Sequence, residues 1–381
     1  MDIEDLRKEI DLLDDELASI YVKRMELCKK IGEEKAKNNS NVNVPGRENA
    51  ILARVTKETP EELKIYVKQL YDNIFIQSKN YQNSLNVIRS KTSDEIREHL
   101  KEKRRSFPIS ATVACQGVEG AYSGIAAKKL FEISDITYFK SFDGVFSAVE
   151  NGLCDYGVLP IENSNAGSVL AVYDLMKKHK FYIVKSIRIK VSHSLVGKNT
   201  NGKIKKIYSH EQALSQCSEF IKSIGATAVA VENTALAAQM VANSDEEGAY
   251  AICSEDCAEL YNLKIVKKDI QDNGVNFTRF ICISKKLEIF KGADKISVMT
   301  ALEHKVGTLN NLLSRFYTQG LNLTKLESRP IGGGDFEFMF YFDFVGDVES
   351  DGVLNLLADL EKTSDKFVFL GSYKENIWDT V

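Results

Sequence analysis

Apolar residues recur every three or four places along the first part of the chain. Leu6, Ile10, Leu13, Leu17 and Ile20 keep helical spacing, and the rhythm continues through Leu27 and Ile31. That spacing marks one face of an α-helix. It predicts a helix to about Lys37, roughly 50 Å long at 1.5 Å per residue. Two cations interrupt the stripe, Arg24 within it and Lys35 at its far end. A buried guanidinium is costly unless an anion meets it. No acidic residue is an obvious fixed partner, so the expectation is a ligand carboxylate or phosphate inside a helical bundle. The plain alternative for Arg24 is a buried ion pair with another helix.

A polar run at residues 38–43 breaks the pattern. Pro45 stands where a short second helix would start, and Thr59-Pro60-Glu61-Glu62 reads as the capping sequence of a third. The inner face of that third helix is Leu63, Val67, Leu70, Ile74, Ser78, Tyr81 and Leu85, with Gln82 one turn past Ser78. Two shorter helices cannot cover the whole first stripe, whereas a second copy of the chain could.

Residues 91–106 are polar and read as a partly helical linker after a helical region at 1–90. From Phe107 the grammar is α/β, expected to run to residue 286. Strand-like runs at 111–115, 156–160, 182–189, 204–208, 249–251 and 278–283 alternate with helical stretches such as 124–131 and 233–242. This predicts a mostly parallel sheet with covering helices, folded as two lobes around a cleft. Over 295–375 the order is β-α-β-β-α-β, a ferredoxin-like unit with Gly332-Gly333-Gly334-Asp335 at its hairpin turn.

Composition removes several classes of function. The 381 residues are 44% hydrophobic and 27% charged with net charge -4, which favours no nucleic-acid partner. The basic cluster at 101–105 reads as a solvated connector. No apolar run approaches the ~20 residues of a membrane span, and the N-terminus lacks signal-peptide grammar, so a cytoplasmic location is expected. Seven scattered cysteines include no C-x-x-C pair; they read as buried thiols, and no metal site is expected. Without a P-loop or G-x-G-x-x-G, no cofactor is expected either.

The motifs together resemble one family across nearly the whole chain, the bifunctional chorismate mutases–prephenate dehydratases of phenylalanine biosynthesis. The segment from Leu6 to Lys37 is similar to the all-helical chorismate mutase domain, with the family's Arg, Arg and Lys at Arg7, Arg24 and Lys35. "GRE" supplies Arg47 and Glu48, and the third helix supplies Ser78 and Gln82. One position departs: Val44 stands where the family carries an Asp near the substrate hydroxyl. "GVEGAYSGIAA", "VLPIENSNAGSV", "SHEQALSQC" and "NFTRFICIS" resemble prephenate dehydratase, whose fold is periplasmic-binding-protein-like. The last 80 or so residues resemble an ACT domain. There Gly307-Thr308-Leu309 and Glu327-Ser328-Arg329-Pro330 match the phenylalanine-binding motifs, with Thr308 and Asn310 departing from the usual first motif.

The resemblance implies roles that chemistry can rationalise. Arg7 and Arg24 suit the two carboxylates of chorismate, since guanidinium forks match carboxylates. Lys35 and Gln82 would donate to the ether oxygen, Glu48 would accept from the hydroxyl, and Ser78 and Arg47 would support the site. Arg7 and Arg24 are 17 residues apart, about 25 Å along one helix. Either the helix breaks or Arg7 comes from a second protomer; the resemblance implies the second, a homodimer. Dehydration of prephenate needs a donor at its leaving hydroxyl, the role implied for Thr278. Glu162, Asn163, Ser164, Ser209, Gln212 and Arg279 would bind that substrate, or else only cap loops. L-Phenylalanine would bind at Gly307, Thr308, Leu309, Glu327, Ser328 and Arg329 and inhibit. Rival readings are a non-catalytic amino-acid sensor and a dehydratase that also acts on arogenate.

Overall fold

The computed structural model describes residues 2–37, 45–84, 88–101, 105–331 and 338–378. The polar run at 38–43, Val44, Leu85, the turn at 332–335 and residues 102–104 of the basic cluster lie outside the described residues.

The helical region comprises α1 (Ile3–Lys37), α2 (Pro45–Thr56), a 3-10 turn (Glu61–Leu63), α3 (Lys64–Ser84) and α4 (Lys91–Lys101). Helix α1 is unbroken over 35 residues, about 52 Å. Its stripe is exposed along the helix: Leu6, Ile10, Leu13, Leu17 and Ile20 are 45–63% exposed, and Leu27 and Ile31 are 59% and 49% exposed, whereas the neighbouring face at Arg24, Cys28 and Gly32 is the one α3 covers. Within one chain the stripe therefore stays open, as expected where two shorter helices cannot cover it: α3 has 21 residues against the 35 of α1. Gly32 of α1 packs against Gln82 of α3. A Cβ there would stand 3.0 Å from Cγ of Gln82, which explains a glycine inside a helix, where it otherwise costs about 1 kcal/mol.

The Thr59-Pro60-Glu61-Glu62 segment does not cap α3 as expected. Thr59 Oγ1 instead donates back to the Val55 carbonyl of α2, 2.7 Å away. The expected partly helical linker is helical over Lys91–Lys101. Ser90 and Ser93 exchange amide-to-hydroxyl hydrogen bonds at the start of α4, a reciprocal cap. Ile96 of α4 is fully buried against the C-terminal unit.

The middle region folds as β1 (Ser110–Gln116), α5 (Tyr122–Leu130), β2 (Ile133–Phe139), α6 (Phe142–Glu150), β3 (Tyr156–Asn163), β4 (Gly167–Ser168), α7 (Leu170–Met176) and β5 (Tyr182–Lys190). The chain then crosses to β6 (Ser194–Gly197), β7 (Lys206–His210), α8 (Glu211–Gln216), α9 (Ser218–Ile224), β8 (Thr227–Val231), α10 (Thr234–Asn243), β9 (Ala249–Cys253), α11 (Glu255–Leu260) and β10 (Lys264–Lys267), and returns as β11 (Phe277–Ser284). Two sheets result, ordered β5-β11-β3-β1-β2 and β10-β6-β9-β7-β8, with a last strand from residues 375–378 on the outer edge of β5. Both are mixed, contrary to the mostly parallel expectation: β11 is antiparallel to β3 and β5, and β6 is antiparallel to β9 and β10. The return crossing forces the reversal, since β11 re-enters the first sheet from the second lobe.

The C-terminal unit is β12 (Lys295–Leu302), α12 (Thr308–Thr318), β13 (Asn322–Pro330), β14 (Phe338–Val345), α13 (Asp351–Thr363) and β15 (Phe367–Tyr373). Its antiparallel sheet, ordered β13-β14-β12-β15, has the β-α-β-β-α-β connectivity read from the sequence. One sheet face packs directly on the first middle sheet, with Ile281 and Ile283 meeting Met299, Tyr341 and Tyr373 in one core. Gly371 permits this contact: a Cβ there would lie 2.1 Å from the Ile183 carbonyl oxygen. A final strand, β16 (Glu375–Trp378), joins the edge of the middle sheet parallel to β5. All seven cysteines are buried and free. Among the described residues no helix is long and apolar enough to cross a membrane.

Candidate active sites

The helical seam gathers most of the residues singled out there. The Arg24 guanidinium donates to Ser78 Oγ across the α1–α3 contact, and Ser78 Oγ donates to the Ile74 carbonyl at 2.6 Å. Lys35 is half-buried three turns further along α1, and Gln82 is buried on α3 beside Gly32. Glu48 on α2 pairs with Lys79 on α3 at 3.1 Å. Arg47 is exposed. Arg7 is not brought to this seam. It stands exposed near the far end of unbroken α1, 3.5 Å from Glu4.

The second group forms at the ends of β3 and β11. These strands are antiparallel neighbours, and their register sets Thr278 opposite Asn163 and Arg279 opposite Glu162. Successive strand residues face opposite ways, so one pair faces each side of the sheet. On one side Asn163 Nδ2 donates to Thr278 Oγ1 at 2.9 Å and to Asn276 Oδ1 at 2.7 Å. Asn276 Nδ2 donates to Gln216 Oε1 at 3.1 Å, and His193 Nε2 lies 2.9 Å from that same oxygen. Gln216 closes α8 in the second lobe, so this polar chain joins the two lobes. Ser164 is near but occupied, its Oγ accepting from the Phe277 amide at 2.9 Å.

On the other side of the sheet, Arg279 is 3% exposed and points at the C-terminal unit. Its Nη1 is 2.5 Å from Asp343 and 3.1 Å from Glu162, its Nε is 2.7 Å from Glu375, and its Nη2 donates to Tyr373 Oη at 2.8 Å. Lys325 adds a second cation to Glu162 at 2.9 Å. Burial alone would push the Glu162 carboxyl up, but the Lys325 hydrogen bond and the Arg279 charge hold it below its ordinary value. Glu162 and Arg279, expected to bind substrate, are therefore in an interdomain ion cluster and not beside Thr278. Ser209 is also elsewhere. It is fully buried and donates to the Ile252 carbonyl at 2.7 Å, holding β7 to β9. Gln212 lies in the first turn of α8, its amide capped by His210 Nδ1 at 3.3 Å.

The third group divides as well. Gly307 precedes α12 with φ +86°, a backbone conformation that suits glycine, and it is exposed with open space around it. Thr308 Oγ1 donates to the Lys305 carbonyl at 3.0 Å, and Leu309 packs on the C-terminal core. On β13 the alternation sends Ser328 outward and turns Glu327 and Arg329 toward the middle region. Glu327 accepts from Ser168 Oγ, and Arg329 clamps Asp174 through bonds of 3.1 and 2.7 Å. The Arg329 fork holds the Asp174 carboxyl down to about 2.

Sequence reasoning passed over His193, Gln216 and Asn276. Gln216 and Asn276 fall inside motifs already noted, each at the edge of its motif, which was the available signal. His193 carries no such signal, being a lone histidine between Ser192 and Ser194.

The chain matches the Chorismate mutase type II profile over residues 6–83 and the Prephenate dehydratase profile over 113–288. The first match spans the Arg24–Ser78 seam and the second spans both ends of the Asn163–Thr278 chain. The chain is 32% identical over 376 residues to the bifunctional chorismate mutase/prephenate dehydratase of Aquifex aeolicus, covering 98% of each. Two solved structures resemble large parts of the chain. One is the prephenate dehydratase of Arthrobacter aurescens in complex with L-Phe, at TM-score 0.63 and 29% identity over 69% of this chain and 89% of that one. The other is GqqA, described as a novel type of quorum quenching acylase, at TM-score 0.64 and 27% identity over 70% of this chain and 98% of that one. With a full-length relative and both catalytic profiles falling on the two polar groups, this chain belongs to the bifunctional chorismate mutase/prephenate dehydratase family.

Proposed function

We propose that the chain rearranges chorismate to prephenate in its helical region and converts prephenate to phenylpyruvate in its middle region. The observation that carries this reading is the Asn163–Thr278 hydrogen bond at the junction of the lobes, remote in sequence and fold from the cationic Arg24–Ser78 seam.

The rearrangement is intramolecular and needs no nucleophile. The protein holds a compact conformer and stabilises the charge that develops on the ether oxygen. Arg24 supplies a carboxylate fork, with Lys35 and Gln82 on the same seam as donors. Glu48 is the acceptor for the ring hydroxyl, steadied by Lys79. Arg7 completes the carboxylate set from a second chain laid along the exposed stripe of α1. That stripe is the surface a homodimer would bury.

In the second reaction the carboxylate leaves as CO2. Its bonding pair enters the ring, the ring becomes aromatic, and the hydroxyl departs with a proton to give water. Thr278 is the hydrogen-bond donor to that departing oxygen, and a proton from solvent completes the water. Asn163 holds Thr278 in place.

The C-terminal unit is an ACT domain that binds L-phenylalanine near Gly307 and Ser328 and inhibits the dehydratase. The L-Phe complex of the Arthrobacter relative supports this assignment. Glu327 and Arg329 carry the signal to β4 and α7. Such inhibition requires that the effector prefer one state of the protein.

The test supplies chorismate and follows prephenate and phenylpyruvate, with and without L-phenylalanine. Sequential appearance of the two products, with the second suppressed by the effector, is expected. Failure to consume chorismate or to form phenylpyruvate would overturn the corresponding half.

A further inference from the structure

We propose that His193 is a positioning residue for the dehydratase reaction, fixing through Gln216, Asn276 and Asn163 the direction in which Thr278 donates. The proposal rests on the dehydratase reading above.

Asn163 Oδ1 accepts from the backbone amides of Asn165 at 3.0 Å and Ala166 at 2.9 Å. Backbone amides only donate, so the orientation of this side-chain amide is settled. Its Nδ2 then donates both hydrogens, one to Asn276 Oδ1 and one to Thr278 Oγ1. The Thr278 oxygen is an acceptor in this contact. Its own proton is not spent on Asn163 and is left for the substrate.

With its oxygen facing Asn163, Asn276 presents its nitrogen to Gln216 Oε1. That oxygen receives a second contact from His193 Nε2, so the imidazole must carry its proton there. His193 Nδ1 is buried without a hydrogen-bond partner among the described residues. An imidazolium would leave an Nδ1–H unanswered in the interior, whereas the neutral Nε2–H tautomer leaves only a bare acceptor. Burial also lowers the proton affinity of the ring below its ordinary value, against a smaller opposing effect from Gln216.

His193 lies where the chain passes between lobes. It follows β5 and precedes β6, beside the returning segment that leads into β11. The Val191 amide donates to the Asn276 carbonyl at 2.7 Å, and the Ile270 amide donates to the His193 carbonyl at 2.9 Å. The two crossings thus hold one another, and the His193–Gln216 bond ties them to α8. Changing the donor at His193 would let the Gln216 amide turn over and reverse each bond down to Asn163, whose backbone partners resist the reversal. The conflict would fall on Asn276 and loosen Thr278.

Two variants separate positioning from plain packing. His193→Gln keeps a donor near the Nε2 position; His193→Leu keeps bulk and removes the donor. For His193→Leu, kcat on prephenate should fall about tenfold or more while KM moves less than about threefold. His193→Gln should stay within about threefold of wild type, and mutase activity should hold in both. An unchanged kcat in His193→Leu, or equal loss in the two variants, would overturn the proposal. If His193→Leu does not fold, 15N NMR of the histidine-labelled wild-type chain decides. The neutral Nε2–H tautomer is expected at pH 7, and an Nδ1–H tautomer or an imidazolium overturns the proposal. Failure of the dehydratase reading would appear separately, as wild-type protein that leaves prephenate unconsumed.

Discussion

Thr278 and Arg279 are consecutive on β11 and serve opposite faces of one sheet. The Thr278 hydroxyl accepts from Asn163 at the lobe junction, and the Arg279 guanidinium lies 2.5 Å from Asp343 in the C-terminal sheet. The partner strand repeats the arrangement, Asn163 belonging to the first face and Glu162 to the second. The C-terminal unit therefore reaches the proposed donor through a single peptide unit. Displacement of Asp343 or Glu375 pulls on the Arg279 guanidinium, whose residue is one peptide from Thr278.

Arg279→Met should destabilise the chain by about 3–5 kcal/mol, because removing the guanidinium takes the ion-pair partner from fully buried Asp343, while Glu162 and Glu375 keep Lys325 and Lys295. Denaturant unfolding measures this. The variant should also lose dehydratase activity and respond less to L-phenylalanine, while mutase activity persists in the folded protein. A stability within 1 kcal/mol of wild type, a margin typical of exposed pairs, would show that the cluster is not a structural tie.

Arg7 and Arg24 should act from different chains. Arg7→Ala and Arg24→Ala should each abolish mutase activity alone and spare the dehydratase. After subunit exchange of equal amounts, about a quarter of the sites would hold both arginines, because half the dimers are mixed and each has one intact site. Recovery toward that level is expected. No recovery, with exchange shown independently, would place both residues in one chain's site.

His179 gives stability a pH dependence of known sign. Its Nδ1 is 2.8 Å from Glu150, its Nε2 is 3.1 Å from Asp143, and its ring stacks on Phe146. Burial opposes the charged ring, but the bonds to Glu150 and Asp143 outweigh it and raise the pKa above the ordinary 6.5. The folded state thus holds the proton more tightly than the unfolded state. The contribution is full below 6.5 and is lost as pH rises through the raised value. The melting-temperature difference between wild type and His179→Gln should shrink from pH 6 to pH 9. A difference that grows over that range would contradict the assignment.

How much was legible in the sequence depended on whether the signal was local. The stripe on α1 and the β-α-β-β-α-β order after residue 295 rest on periodicity within single elements, and both appear at nearly the expected bounds. Strand direction is not periodic, so the antiparallel return of β11 was hidden. Strand β2 escaped notice because no residue in Ile133–Phe139 is fully buried, leaving only a weak apolar alternation. Strand β16 is four residues long and depends on Glu375 meeting Arg279, Arg188 and Lys295, none near it in sequence. At the site, Thr278 and Asn163 came from motif resemblance. The same motifs also drew in Glu162, Ser209 and Arg279, since a motif records which residues occur and not which face of a strand they occupy. Register decides that, and register is a property of two strands.

On the proposed reading one chain holds two separable active sites, and Thr278 serves only the second. Thr278→Val keeps the shape of the side chain and deletes its hydroxyl. Given chorismate as the sole substrate, this variant should consume it at the wild-type rate, accumulate prephenate mole for mole, and form phenylpyruvate at least about a hundredfold more slowly than wild type. Phenylpyruvate formed at an undiminished rate, or chorismate consumption lost along with it in a folded protein, would contradict the account.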